Sequence, residues 1–112
     1  MNRDRSYLLH IKDAIALIRQ FTQSVRKEDF FTNREKQGAV ILQLTLIGEM
    51  SKRLSEEVRS EIPLPWNEIM AFRNRAVHDY YTLDIDIVWT TIQEDLGLIE
   101  TQVSKHLLEK TL

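Results

Sequence analysis

The 112-residue sequence has no cysteine. That excludes a disulfide framework, a thiol nucleophile and a cysteine-based zinc site, and it fits a reducing compartment. Only three glycines and two prolines are present, so turns are few and the elements between them should be long. No apolar run approaches the roughly 20 residues of a membrane span. The start, MNRDRSYLLHIKDAI, is charged and lacks the apolar core of a signal peptide. The expectation is a soluble, cytoplasmic chain that does not enter a membrane. A charge excess is also lacking: 15 basic residues stand against 17 acidic ones, a formal net of −2. This argues against coating nucleic acid through bulk charge, though not against a small basic site on a near-neutral scaffold. The length suits one domain, residues 1–112, able to bury a core unaided.

Helical periodicity fills most of the chain. Tyr7, Ile11, Ala14, Ile15, Ile18 and Phe21 recur at helical spacing, which predicts a helix from about Asp4 to Gln23. In the polar stretch that follows, Phe30 and Phe31 are expected to fold back together as a lid on the core. Thr32 and Glu35 match a capping box, so a second helix should start near Asn33 and run to about Glu61. Its middle, GAVILQLTLIGEM, is apolar almost all round and needs cover on several sides, one of which a second copy of the chain would supply. Gly38 and Gly48 lie inside it, each costing about 1 kcal/mol relative to Ala; close approach of another backbone would compensate. IPLPW ends that helix, and Pro65 suits the first turn of the next. Asp84 is a candidate cap for the last helix, whose seam reads Val88, Ile92, Leu96, Ile99, Val103, Leu107. No segment alternates like a strand. The expected fold is an all-α, up-and-down bundle of four main helices, with Trp66, Phe72 and Trp89 as packing residues.

Against this apolar pattern, AFRNRAVHDYY concentrates two arginines, a histidine and two tyrosines at Ala71–Tyr81. Arg75 has Asp79 one turn on as a plausible surface partner. Arg73 has no helical neighbour of opposite charge, so it requires a distant partner, another chain or an anionic ligand. His78 stands about 140° around an ideal helix from Arg73. Either the arginine bends across, or the helix ends near His78, or the groups of two chains meet at a symmetric interface. Arginine matches phosphate oxygens with a fork of donors, and histidine exchanges protons near neutrality. Together they suit attack of a ribose 2′-hydroxyl on its adjacent phosphate, a route that needs no metal. A histidine at a helix end also serves simply to meet the last carbonyls. Glu49, with Lys52 and Arg53 one turn on, reads as an ordinary ion pair, and Tyr81 as packing. His10 and His106 read as solvated, and no pair of histidines has metal-ligand spacing.

FRNRAVHDYY, with Arg73, Asn74, His78 and Tyr80 in an Arg-x-x-x-x-His-x-Tyr pattern, resembles the signature of the HEPN superfamily, and within it the HepT-like toxins. AVILQLTLIGEMSKRLS resembles the family's helix with its Ile-Gly-Glu element, PLPWNEI its Pro-x-x-Trp approach, and DIDIVW its Asp-x-x-x-Val-Trp start of the last helix. The likeness runs in order from about Ile11 to Val103. Met50 departs from it, standing where a small residue commonly follows Gly-Glu. The resemblance implies a helical homodimer whose two Arg/His motifs line a shared cleft. It implies a metal-independent endoribonuclease without a cofactor, the toxin of a type VII-like toxin–antitoxin system. It also implies a nucleotidyltransferase antitoxin that adenylylates Tyr80. Carried over, Arg73 would hold and stabilise the phosphate and His78 would act as general acid and base. Asn74 would orient RNA or His78, and Arg75 would support RNA binding. The rival expectation is a non-catalytic helical dimer that binds a nucleotidyltransferase or a nucleotide.

Overall fold

A chain this poor in helix breakers folds into helices throughout. The structure, a computed structural model, describes residues 3–111. In order these form α1 (Arg3–Thr22), α2 (Lys27–Thr32), α3 (Arg34–Arg53), α4 (Glu56–Glu61), α5 (Trp66–His78), a 3-10 turn (Tyr80–Thr82), α6 (Ile85–Glu94) and α7 (Leu96–Thr111). There is no strand among the described residues.

α1 buries Leu8, Ile11, Ala14, Ile15 and Ile18, the stripe its spacing requires. It packs chiefly on α3, and α3 packs in turn on α5. α3 is thus the central element, with Val40, Ile41, Leu44 and Ile47 buried. The seam of the last helical stretch is buried at all six expected positions, Val88, Ile92, Leu96, Ile99, Val103 and Leu107.

The four-helix expectation is too coarse in three places. The predicted Asn33–Glu61 helix breaks at Leu54, where the backbone turns extended, and Ser55 restarts it by accepting from Val58 N at 3.2 Å. Asp4 reinforces the break, accepting from Ser55 N and Ser55 Oγ, both at 2.8 Å. The last helix is interrupted at Asp95, yet Asp95 N donates to Thr91 O and Ile99 N to Asp95 O, so the seam continues. The stretch after α1 contains the short helix α2.

Two local readings also change. The cap of α3 is Asn33, whose side chain accepts from Lys36 N at 2.9 Å. Thr32 instead donates back to Glu28 O and Asp29 O, because it sits in the last turn of α2. Of the two phenylalanines only Phe30 enters the core, at 0% exposure, with its ring 5.2 Å from that of Trp89. Phe31 is 40% exposed; consecutive positions on a helix point about 100° apart. His106, expected in solvent, is partly buried with Nδ1 3.8 Å from Glu61 Oε1, and His10 is exposed.

The two phenylalanines therefore separate in a mutation experiment. Phe30→Ala should cost about 3–5 kcal/mol by urea denaturation, and Phe31→Ala less than about 1 kcal/mol.

Candidate functional site

The element that carries the polar cluster is fixed at both ends. Pro65 precedes the first turn of α5, and its carbonyl accepts from Ile69 N at 3.1 Å. Trp66 is buried and its indole N–H is shared between Arg59 O and Ile62 O, at 2.9 and 3.0 Å. At the other end Asp79 leaves helical geometry while its N–H closes on Arg75 O at 2.7 Å. The cluster is thereby divided. Arg73, Asn74, Arg75 and His78 lie on α5, and Tyr80 lies in the 3-10 turn beyond it.

Gly48 of α3 brings α5 close. A Cβ built on Gly48 would collide with Arg73 Cβ and stand 3.0 Å from Ile69 O. The close approach expected for this glycine is present, and it falls on Arg73. At Gly38 the nearest atom to such a Cβ is the Tyr80 hydroxyl, 3.9 Å away, an ordinary contact.

Arg73 finds the distant partner that its helix lacks. Its Nε donates to Glu49 Oε2 at 2.8 Å, and its Nη1 to Asn74 Oδ1 at 3.0 Å. The same carboxylate accepts from Arg53 Nε at 3.3 Å through Oε1. Glu49 is therefore more than the local pair its spacing indicates: it bridges two arginines from two helices. The Arg73 and Glu49 side chains are 21% and 25% exposed, so the bridge is neither dry nor freely solvated. Partial burial pushes the Glu49 carboxyl up. The Arg53 hydrogen bond, the Arg73 charge and hydrogen bond, and the Arg53 charge outweigh that and hold it below its ordinary value of 4.5.

His78 is the last residue of α5 and is exposed. The helix does end at His78, one of the open alternatives. Because His78 is still helical, it diverges from Arg73, which packs on α3. Among the described residues no hydrogen bond or ion pair joins the two. Arg75 is exposed and makes no side-chain pair with Asp79; their link is between backbones. It lines a groove of about 360 Å³ with Ile69, Phe72, Ile87, Leu98 and Ile99. Tyr80 and Tyr81 are both exposed, their rings edge to face at 5.9 Å, so Tyr81 is not a core packing residue. No three His, Asp or Glu side chains gather in a metal-holding arrangement among the described residues.

The model of the HepT-like ribonuclease family matches residues 11–106. The chain belongs to that family. A provisionally named ribonuclease HepT of Thermococcus cleftensis is 34% identical to this HepT-like chain over 102 residues, covering 90% of this chain and 93% of the relative. A provisionally named RNase of Caldanaerobacter subterraneus subsp. tengcongensis is 32% identical over 111 residues, covering 98% of each. A Methanocaldococcus jannaschii protein named as a gamma-glutamylcyclotransferase and, provisionally, an RNase is also 32% identical over 111 residues; the chain spans 50% of its length. No solved structure matches significantly.

Within the HepT-like fold the residue that spacing missed is Glu49. The signal was present: IGE places a glycine and an acid side by side in an otherwise apolar helix. A small residue admits another helix there, and the acid beside it then meets whatever that helix carries.

Two outcomes follow from this geometry. Gly48→Ala should destabilise the fold by about 1–2 kcal/mol in urea, because overpacking against α5 exceeds the gain in helix propensity. Glu49 has a folded pKa below its unfolded value, so its contribution is full above about 4.5 and is lost as pH falls through the lowered folded pKa. Glu49→Gln should melt below the parent protein at neutral pH, and the difference should close on acidification.

Proposed function

We propose that this chain is a homodimeric, metal-independent endoribonuclease, the toxin of a type VII-like toxin–antitoxin pair. The observation that carries the reading is the divergence of Arg73 and His78 on one helix beside uncovered apolar surface. Leu42 and Leu46 on α3, and Val77 on α5, are exposed. By helical spacing Leu42 and Leu46 share the face of Glu49, and Val77 is one turn from Arg73. A second copy seated on this face would cover those side chains and bring its own Arg/His motif to the first.

In that cleft the Arg73 guanidinium holds the scissile phosphate and stabilises the charge that builds on it. The His78 imidazole accepts the 2′-hydroxyl proton as the 2′ oxygen bonds to phosphorus. The phosphorus–O5′ bond breaks, and an imidazolium returns a proton to the leaving 5′ oxygen. The products are a 2′,3′-cyclic phosphate and a 5′-hydroxyl. Asn74 keeps the guanidinium oriented, and Arg75 adds a backbone contact. The family's HepT-like ribonuclease description supports RNA as the substrate. The Tyr80 hydroxyl is the proposed point of adenylylation by a nucleotidyltransferase antitoxin. An added AMP would bring negative charge and bulk beside the cleft and repel RNA.

The Glu49 bridge favours a second reading, a non-catalytic dimer that docks a nucleotidyltransferase or a nucleotide, because Arg73 already has a counter-ion. One experiment separates the two. Pure protein incubated with RNA in EDTA should yield 2′,3′-cyclic phosphate ends. Arg73→Ala and His78→Ala should each lower the rate at least about 100-fold while keeping the parental dimeric mass by light scattering, with His78→Ala also keeping the parental melting temperature and Arg73→Ala melting lower through loss of the Glu49 bridge. Parental cleavage by His78→Ala would overturn its assignment, and absence of cleavage by the dimeric parent would favour the binding module.

A further inference from the structure

We infer that Glu49 is a positioning residue for the proposed ribonuclease site: it fixes the Arg73 guanidinium through Nε so that the remaining Nη donors are left to face phosphate. The inference rests on the function proposed above and adds a residue from a different helix to it.

Arginine carries one Nε–H and two N–H groups on each Nη. Glu49 Oε2 takes the Nε–H and Asn74 Oδ1 takes one Nη1–H. What remains is one Nη1–H and both Nη2–H groups, enough donors to grip an anion. Rotation of the side chain is blocked at its base as well, because Arg73 Cβ and Cγ lie against Gly48. The carboxylate is itself held from the far side, with Arg53 Nε on Oε1. The Arg73–Glu49 link is the tighter of the two, at 2.8 Å against 3.3 Å, and joins the two less exposed side chains. Binding order set before the substrate arrives is what a charged transition state needs.

Arg53, Glu49 and Arg73 together carry one net positive charge. The acid lowers the attraction for RNA, and a site built for affinity alone would omit it. Its presence is accounted for by geometry. Removing the charge should therefore move binding and turnover in opposite directions, which a purely structural role would not do. Gln keeps the size of Glu and a carbonyl acceptor but loses the charge that holds the guanidinium, and Asp keeps the charge one methylene short.

The test compares parent, Glu49→Gln and Glu49→Asp as full-length protein. With RNA as substrate, Glu49→Gln should lower kcat about 10- to 100-fold while KM stays level or falls, and Glu49→Asp should recover part of kcat. In nitrogen-15 NMR of the arginine side chains, the Arg73 Nε–H, assigned by its loss in Arg73→Ala, should exchange slowly with water in the parent and quickly in Glu49→Gln. Equal kcat in parent and Glu49→Gln, or an Nε–H that exchanges equally fast in both, would overturn the inference. If the parent cuts no RNA, the proposed function falls, and the exchange measurement alone decides whether Glu49 holds Arg73.

Discussion

The packing of α5 on α3 at Gly48 constrains everything else in the molecule. At Gly48 the central helix lacks a side chain, and the neighbouring helix comes in until Arg73 Cβ fills the space a side chain there would take. Arg73 happens to be the residue at that contact. Its stem is pressed on α3, so its head group must run along α3 to reach water, and the next residue along is Glu49. Apolar stem against helix and polar head toward solvent is the usual compromise for arginine at a packed surface. Helix packing and charge placement are therefore one event here. A larger residue at 48 would shift α5, and with it the side chain on which the proposed phosphate chemistry depends.

The same helix explains the apolar surplus in the sequence. α3 turns Val40, Ile41, Leu44 and Ile47 inward, and α1 and α5 cover it from two directions. Leu42 and Leu46 remain outside this cover. They are not needed to close the core of one protomer, and exposed leucines beside a polar site argue for a partner more strongly than leucines scattered singly. α5 splits in the same way, with Arg73 on the packed side and His78 in solvent. The two observations have one resolution if the uncovered face is where protomers meet, since each chain then presents the group that the other has turned away.

Periodicity made most of the fold legible. The six-residue seam from Val88 to Leu107 is buried throughout, because a 3.6-residue repeat survives a small irregularity at Asp95. The break at Leu54–Ser55 was hidden for a related reason: Leu54 and Val58 are both buried, so the apolar pattern passes through it. What cuts the helix is a serine cap clasped by Asp4, 51 residues away. At the start of α3 two capping signals overlapped, and the nearer Asn33 prevailed over Thr32 because a short helix, α2, already claimed the threonine. For the candidate site, the helix that carries Arg73, Asn74, Arg75 and His78 was readable, whereas the counter-ion of Arg73 was not. Helical-neighbour rules see three or four positions along the chain, and Glu49 lies 24 away. The rules did find Arg53 for Glu49, and they found only one of its two oxygens.

A chain with a formal net charge of −2 has no long-range field to gather RNA. Under the proposed function, recognition would come from a local field, and the Arg53–Glu49–Arg73 bridge would supply one with a net positive charge. Unpaired, Arg73 would attract anions more strongly but sample many orientations, and its partial burial would carry an uncompensated desolvation cost. Paired on its Nε edge, it keeps a fixed donor edge for a phosphate while its own fold remains satisfied without ligand. Symmetric pairing of two such chains would double the local positive charge without altering the sign of the whole. In the proposed dimer, such a cleft would gain its selectivity from the reacting geometry of a ribose 2′-hydroxyl and its phosphate, so that discrimination against DNA would follow from chemistry and require no contact that reads the sugar.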